Sequence, residues 1–177
     1  MVNRKKDPSP IDSSFFRLHA SSIEINGKAL VFLGHSSSGK STIAQILSKE
    51  YDLVSDDKII VFKNNGEWFI KNGDEQSKLS EYKGNKPIAS GSFPVLAFVR
   101  IFKSESNEIN KIESSLLCKY LIDAVFEVDN QRNNFDIDLR KYWFHLAGDF
   151  AKRIQGWDFY FKKETNIINI INKTFEK

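Results

Sequence analysis

Apolar residues along this chain recur in two spacings, one typical of strands and one typical of helices. Over residues 21–26 apolar and polar side chains alternate, which predicts a half-buried strand. The apolar run 29–33 is continuous, as is typical of a strand that is buried on both faces. A Gly-Lys turn at residues 27–28 separates these two segments, so we predict that they pair as a β-hairpin. From residue 41 to residue 50 the apolar positions change to helical spacing, which predicts a helix.

The rest of the chain also contains segments with strand spacing and segments with helical spacing. The dipeptide Asn65-Gly66 tolerates positive φ angles and predicts a tight hairpin between its flanking strands. Residues 72–85 are polar and have no clear period, so we predict a mobile loop there. In the helix that begins at residue 139, His145 is placed near an apolar face made of Tyr142, Trp143, Leu146, Phe150 and Ile154. Further strands are predicted at 51–55, 58–63, 67–71, 93–103 and 157–161, and further helices at 113–126, 139–154 and 165–175.

These elements together predict a single α/β domain. It has a mixed β-sheet, with β-hairpins near the N-terminus and helices packed mainly around the later half. We expect a flexible N-terminal lead at residues 1–14 and the domain itself at residues 15–177. Neither an internal repeat nor a linker rich in Pro or Gly divides the sequence.

Composition and charge narrow the class of protein. Hydrophobic residues make up 41% of the 177 positions and charged residues 28%, which is ordinary for a globular domain. The single cysteine, Cys118, permits no internal disulfide, so a reducing compartment fits. The net charge of +3 comes without a basic and aromatic module, and no apolar stretch resembles a signal peptide or a membrane span. We therefore expect a cytoplasmic protein without a nucleic-acid or membrane partner.

The sharpest motif is a phosphate-binding loop. Residues 34–41 read Gly-His-Ser-Ser-Ser-Gly-Lys-Ser, which fits the pattern G-x-x-x-x-G-K-[ST] between the predicted buried strand and the predicted helix. Gly34 and Gly39 let the backbone turn tightly, so that N–H groups point at one anion. Lys40 adds a positive charge that reaches the outer phosphates, and the hydroxyl of Ser41 is a ligand for Mg²⁺. The alternative interpretation is a Ser- and Gly-rich loop before an ordinary helix.

A pair of carboxylates follows the next predicted strand. Asp56 and Asp57 come directly after the segment 51–55. One carboxylate of such a pair can hold Mg²⁺, while the other takes a proton from an attacking hydroxyl. The alternative interpretation is an acidic turn that ends the strand.

Three further sets of polar residues have both a functional and a structural interpretation. His19 lies about half a dozen residues before the hairpin turn, where it is either part of the nucleotide site or structural. Arg100 interrupts an apolar strand, so it reaches either a phosphate or a structural carboxylate. Lys83 and Lys86, in or beside the polar loop, either stabilise a transferring phosphoryl group or are merely solvated.

These motifs and their order resemble the catalytic domain of the bacterial HPr kinase/phosphorylase family. The similarity is carried by His19-Ala-Ser, the loop 34–41, and Leu-Val-Ser-Asp-Asp at residues 53–57. It covers residues 18–61, about a quarter of the chain. Two departures are informative: three consecutive serines stand where the family has Ser-Gly-x, and no Glu-Ile-Arg-Gly-Leu-Gly type segment follows the Asp pair. With these departures, and with only residues 1–14 ahead of the motifs, the chain is more similar to the short HPr-kinase-related proteins. Those proteins are found beside peptide-modification and other biosynthetic genes.

The resemblance implies an ATP- and Mg²⁺-dependent kinase and assigns its residues by position. Lys40 is implied to bind the β- and γ-phosphates, with Ser41 on Mg²⁺ and Asp57 assisting at the metal. Asp56 matches the family's catalytic base, and His19 matches its site histidine. The loop and first-turn residues implied to bind the nucleotide are Gly34, Ser36, Ser37, Ser38, Gly39, Lys40, Ser41 and Thr42.

The leading function is therefore phosphoryl transfer from ATP to a hydroxyl, and we expect that hydroxyl to be a serine of a peptide or protein. Two alternatives stay open at this point. One is a nucleotide-binding regulatory protein without kinase activity, and the other is a kinase of a small molecule such as free serine or a sugar. The related kinases are often hexameric, so the resemblance also implies a homo-oligomer as a possible assembly. The sequence leaves open whether pyrophosphate replaces ATP and whether a reverse, phosphorylase reaction exists.

Overall fold

The computed structural model describes residues 15–73, 89–130, 137–163 and 166–176, with the side chains of residues 129 and 130 excepted. The predicted lead at residues 1–14 and most of the predicted polar loop, including Lys83 and Lys86, lie outside the described residues. The strands are β1 (Phe15–His19), β2 (Ser21–Ile25), β3 (Lys28–Leu33), β4 (Leu53–Ser55), β5 (Lys58–Asn64), β6 (Glu67–Asn72), β7 (Ser92–Lys103), β8 (Glu108–Ile112) and β9 (Gln155–Phe161). The helices are α1 (Lys40–Leu47), α2 (Ser114–Asn130), α3 (Ile137–Arg153) and α4 (Ile167–Phe175).

Two hairpins form the N-terminal half, as the sequence predicts. Strands β2 and β3 pair antiparallel across a turn in which Asn26 has φ +51° and Gly27 has φ +78°. Strands β5 and β6 pair in the same way across Asn65 and Gly66, with φ +48° and +84°. Both turns place two residues in the left-handed region, where Asn and Gly are tolerated best. Local turn chemistry therefore fixes both pairings.

The strands join in one mixed sheet that is organised around β7. The order is β1-β5-β6-β7-β3-β2-β4, and β9 also pairs with β7 and carries β8 on its other side. The start of β7 pairs antiparallel with β6, whereas its later part runs parallel to both β3 and β9. The carboxyl ends of these three parallel strands therefore meet at one edge of the sheet, which is where open α/β sheets bind ligands.

Two apolar layers cover the two faces of the sheet. On one face α2 and α3 pack, and the ring of Phe150 lies 4.9 Å from Phe98 and 5.1 Å from Trp68, measured between centroids. On the other face α1 and α4 bury Ile43 and Ile171 completely. The observed α/β architecture with a mixed sheet confirms the predicted fold class.

The apolar side of α3 agrees with the prediction except at two residues. Tyr142, which we placed on the apolar face, is 41% exposed, and His145, which we placed near it, is also exposed. As predicted, Phe150 is buried, and Trp143, Leu146 and Ile154 are partly buried against the same apolar layer. The helix also buries Ala147 and Ala151. The helix α3 contacts the sheet with a narrow apolar stripe, and aromatic residues beside that stripe stay at the surface.

Candidate functional site

The loop at residues 34–39 lies between β3 and α1, the position that the sequence predicts for it. Ser37 has φ +66° and Gly39 φ +105°, so the backbone turns through the left-handed region twice within three residues. Such alternation points successive N–H groups into one concavity that suits an anion. A Cβ on Gly39 would lie 2.6 Å from Cζ of Phe161 in β9, so only glycine fits at this position. The hydroxyl oxygen of Ser38 is buried with no hydrogen-bond partner among the described residues, which leaves a donor available inside the loop.

Lys40 begins α1 and folds back over the loop. Its Nζ donates hydrogen bonds to the carbonyl oxygens of Gly34, at 2.6 Å, and His35, at 3.1 Å. Burial lowers the pKa of Lys40, and the carboxylates of Glu127 and Asp57 oppose that shift. The ammonium group is thus partly desolvated, held by two carbonyls and close to two carboxylates. A charge held in this way interacts strongly with an incoming anion, because little water screens it.

The acidic turn after β4 is tied to the junction between β1 and β2. Ser21 donates a side-chain hydrogen bond to the backbone carbonyl of Asp56 at 3.0 Å, and the N–H of Ala20 donates to the carbonyl of Asp57 at 3.0 Å. Asp56 is 7% exposed. The Asp57 carboxylate lies 2.5 Å from Nε2 of His19, at the end of β1. His19 and Asp57 are 38 positions apart in sequence. They come into contact because β1 pairs with β5 and β2 pairs with β4.

A pocket of about 60 Å³ opens beside the loop on the α2 side. His19 and the first two loop residues form one wall, and α2 supplies Asp123 and Glu127. These two carboxylates are four residues apart, so they occupy the same face of the helix. Sequence reasoning missed Glu127, although its spacing from Asp123 was a visible signal. Only the packing of α2 against the sheet brings it close to Lys40.

Arg100 also lines this pocket. Its Cζ lies 3.8 Å from the ring centroid of Tyr120 and 4.5 Å from that of Phe102. The parallel pairing of β7 with β9 places Asp158 beside it. Burial raises the pKa of Asp158, while the Arg100 guanidinium and a hydrogen bond from Tyr120 oppose that shift. The sequence left two partners open for Arg100, a phosphate or a structural carboxylate. In the structure Arg100 has a carboxylate, Asp158, as a neighbour, and it also lines the pocket beside the loop.

The structure places the predicted site residues at one edge of the sheet. The predicted nucleotide-binding residues form one continuous stretch in which Ser36, Ser37 and Ser41 are exposed and Thr42 is half-buried. Lys40, Asp57 and His19 are linked by the contacts and charges described above, and Asp56 precedes Asp57 in the same turn. Their catalytic and binding roles stay predictions.

The oxygen donors at this edge fit Mg²⁺. Ser41 presents its hydroxyl on the first turn of α1, and Asp57 presents a carboxylate that is 29% exposed. In the part of the chain that the structure describes, no group of three or more His, Cys, Asp or Glu side chains is placed to hold a metal. Mg²⁺ is often held by one or two carboxylates together with substrate phosphates, so a complete protein cage is not required.

Comparison with known protein families matches the sequence of this chain to one of them. The family described as SynChlorMet cassette protein ScmC matches residues 12–176, nearly the whole chain. The chain belongs to the ScmC family. No curated protein matches this ScmC-family chain.

A solved structure has the same fold as this ScmC-family chain. It is the Hpr(Ser) kinase/phosphatase from Coxiella burnetii, with a TM-score of 0.51 over 89% of this chain and 86% of that chain, at 13% sequence identity. At this identity the likeness shows the fold alone. It agrees with the α/β architecture and with the mixed sheet described above.

None of the described helices of this ScmC-family chain is both long enough and apolar enough to span a membrane.

Proposed function

We propose that this chain is an ATP- and Mg²⁺-dependent phosphotransferase that acts on a hydroxyl group, a serine of a peptide or protein. The observation that carries the proposal is the convergence of Lys40, Asp57 and His19 at the end of a loop with phosphate-binding geometry. The fold of the Coxiella burnetii Hpr(Ser) kinase/phosphatase supports it, since that protein's description names a kinase.

The loop supplies the donor site. The backbone of the loop, the Ser38 hydroxyl and the start of α1 together favour the phosphates of a nucleotide. Lys40 exchanges its bonds to the Gly34 and His35 carbonyls for bonds to the β- and γ-phosphates. This exchange keeps the ammonium hydrogen-bonded throughout, so binding leaves no buried charge without a partner.

The acidic turn supplies the base. The acceptor oxygen attacks the γ-phosphorus, the bond from that phosphorus to the β–γ bridging oxygen breaks, and ADP leaves with the bond's electron pair. Asp56 takes the proton of the acceptor hydroxyl. Asp57, oriented by its 2.5 Å contact with His19, would hold Mg²⁺ together with Ser41. The ion would neutralise charge on the phosphates, and the protein's own contribution is positioning and a second positive charge from Lys40.

The proposal is tested by following label from the γ-phosphate of ATP. The protein is incubated with Mg²⁺ and labelled ATP, and with a panel of serine peptides, free serine and sugars. We expect transfer to a serine peptide, and loss of at least about 100-fold of the rate in Asp56→Asn, as is typical when a general base is removed. The matched control is Asp52→Asn, in the turn before β4.

The outcomes separate the candidate functions. Transfer that survives Asp56→Asn unchanged would exclude Asp56 as the base. Transfer to free serine or a sugar alone would identify a small-molecule kinase. Tight binding of ATP, measured by calorimetry, without transfer to any acceptor would favour a regulatory nucleotide-binding protein.

A further inference from the structure

Arg100 is the strongest cationic group near the loop to which the proposed reaction gives no role. It lies directly beside Leu33 in the parallel pairing of β3 with β7, and Leu33 is the last residue before the loop. Arg100 lines the same pocket as Gly34 and His35. Lys40 donates its hydrogen bonds to the carbonyls of those same two loop residues. Lys40 and Arg100 therefore both lie close to the first two residues of the loop.

The guanidinium group of Arg100 packs against aromatic side chains. It lies over the rings of Tyr120 and Phe102, and the ring of Phe102 is stacked on Tyr160 with centroids 4.8 Å apart. Aromatic faces stabilise a cation without using its N–H donors, although Arg100 also donates a hydrogen bond to the Tyr120 hydroxyl. Arginine carries five such donors in a planar fork that matches two oxygens of a phosphate at once.

Asp158 accepts no direct hydrogen bond from the Arg100 guanidinium in the described part of the chain. Within the described residues, no nitrogen of Arg100 lies within 4.0 Å of a carboxylate oxygen, so the two side chains form no direct salt bridge. One oxygen of Asp158, Oδ1, is buried without a hydrogen-bond partner in the same part of the chain. A purely structural arginine would be expected to bond this carboxylate directly, because a buried charge is stable only when it is paired.

We propose that Arg100 is the second phosphate-contacting cation of the site, binding the γ-phosphoryl group from the pocket while Lys40 binds it from the loop. This inference rests on the proposed function. The fork-shaped guanidinium contacts two oxygens of the transferring group, and the rings of Tyr120 and Phe102 hold it in place between binding events. The charge that develops on the phosphoryl group during transfer is then met from two sides.

The test uses binding and does not need the acceptor. Affinities for MgADP are measured by calorimetry with and without aluminium fluoride, which mimics the phosphoryl group in transfer. The wild-type protein is expected to bind MgADP more tightly when aluminium fluoride is present. Arg100→Met is expected to lose about tenfold or more of that gain, the usual scale for a charge-assisted bond, while its affinity for MgADP alone changes less than about twofold. Arg153→Met, which removes an arginine paired with Asp149 on α3, is the matched control and should behave as wild type.

Two further variants distinguish a phosphate ligand from a structural partner. Asp158→Asn keeps an oxygen for the Tyr120 hydroxyl and is expected to retain the full gain with aluminium fluoride, because the carboxylate is not a phosphate ligand. Arg100→Lys keeps the charge without the fork and should retain part of the gain, which keeps the test decisive if Arg100→Met does not fold.

Three results would overturn the inference. The first is a gain in Arg100→Met equal to that of the wild type. The second is a parallel loss of MgADP affinity in Arg100→Met and Asp158→Asn, which would indicate a structural pair. The third is a wild-type protein that binds MgADP but gains nothing from aluminium fluoride. Failure of the wild-type protein to bind MgADP or MgATP at all would instead overturn the proposed function.

Discussion

At the scale of single residues, Lys40 now donates to loop carbonyls the hydrogen bonds that we propose it donates to the phosphates of a nucleotide. It is 7% exposed, and its bonds go to loop carbonyls. Such bonds hold the ammonium in place but bring no partner charge into contact with it. A triphosphate offers oxygen atoms that carry charge, and charge-assisted bonds are about twice as strong as neutral ones.

Replacing Lys40 with Met should therefore remove nucleotide binding without unfolding the protein. We expect the affinity for MgATP to fall by at least about 30-fold, equivalent to about 2 kcal/mol for a lost bond to a charged group. The melting temperature should not fall, because burial lowers the pKa of Lys40 and so the protonated form opposes folding. Calorimetry with MgATP and a thermal melt check the two halves of this prediction.

Lys49→Met is the matched control for that experiment. Lys49 is exposed just beyond the end of α1 and contributes charge but no contact with the loop. An equal loss of affinity in both variants would mean that general positive charge, and not the position of Lys40, governs binding.

Asp149 provides a prediction about pH. A hydrogen bond from Lys63 at 2.7 Å is the main cause that lowers the pKa of Asp149 below its ordinary value of 3.8. The carboxylate therefore stabilises the folded protein above pH 3.8 and loses that contribution as the pH falls through its lower folded pKa. Asp149 is 37% exposed, so water screens the pair and we expect no more than about 1 kcal/mol.

Urea denaturation of Asp149→Asn measures this contribution. The variant should be less stable than the wild type at pH 7, and the two should converge near pH 2. Asp138→Asn is the control, because Asp138 is 93% exposed and its contact with Lys141 is 3.5 Å long. A difference between wild type and Asp149→Asn that persists unchanged at low pH would show that the lost interaction is not ionic.

At the scale of elements, short-range sequence signals predicted most of the secondary structure. The turns at Gly27 and Gly66 and the loop before α1 have local chemistry, which a single sequence displays. The pairing of β1 with β5 has no such signal, because it joins segments about 40 residues apart. The same reason explains the site: the loop and the Asp pair are local motifs, whereas the position of Glu127 depends on how α2 docks.

Gly39 joins two of these elements, since it shapes the loop and lies against β9. An alanine there adopts φ +105° with strain, and its Cβ meets the buried ring of Phe161 at 2.6 Å. We expect Gly39→Ala to cost about 2–3 kcal/mol of stability and to weaken MgATP binding about tenfold or more, because the loop must move to relieve the contact.

Gly66→Ala is the control that separates backbone strain at a positive φ angle from the steric contact that a Cβ makes at Gly39. Gly66 has φ +84° but no atom within 4 Å of the position that a Cβ would take. This control should cost about 1 kcal/mol and leave nucleotide binding unchanged. Urea denaturation and calorimetry on both variants check the comparison. If Gly39→Ala binds MgATP as the wild type does, the loop geometry is not what holds the phosphates.

At the scale of the whole molecule, one strand connects the two apolar layers with the site. In β7, Val99 faces the layer under α1 and α4, Phe98 faces the layer under α2 and α3, and Arg100 lines the pocket. Loss of packing on either face of β7 therefore disturbs the parallel pairs that position the loop. Stability and nucleotide binding should then be lost together, as in a cooperative single unit.

Phe98→Ala tests that cooperativity. Phe98 is 1% exposed and packs edge-on against Phe150, so its truncation leaves a cavity and should cost about 3–5 kcal/mol. That is a large share of the roughly 5–15 kcal/mol that holds a typical domain folded. Phe144→Ala, at a ring that is 57% exposed on α3, should cost less than about 0.5 kcal/mol. Circular dichroism and MgATP-dependent fluorescence, followed through the same urea titration, should report one shared midpoint for each variant. Two separate midpoints in Phe98→Ala would show that the layer under α2 and α3 unfolds on its own, and that the loop does not depend on it.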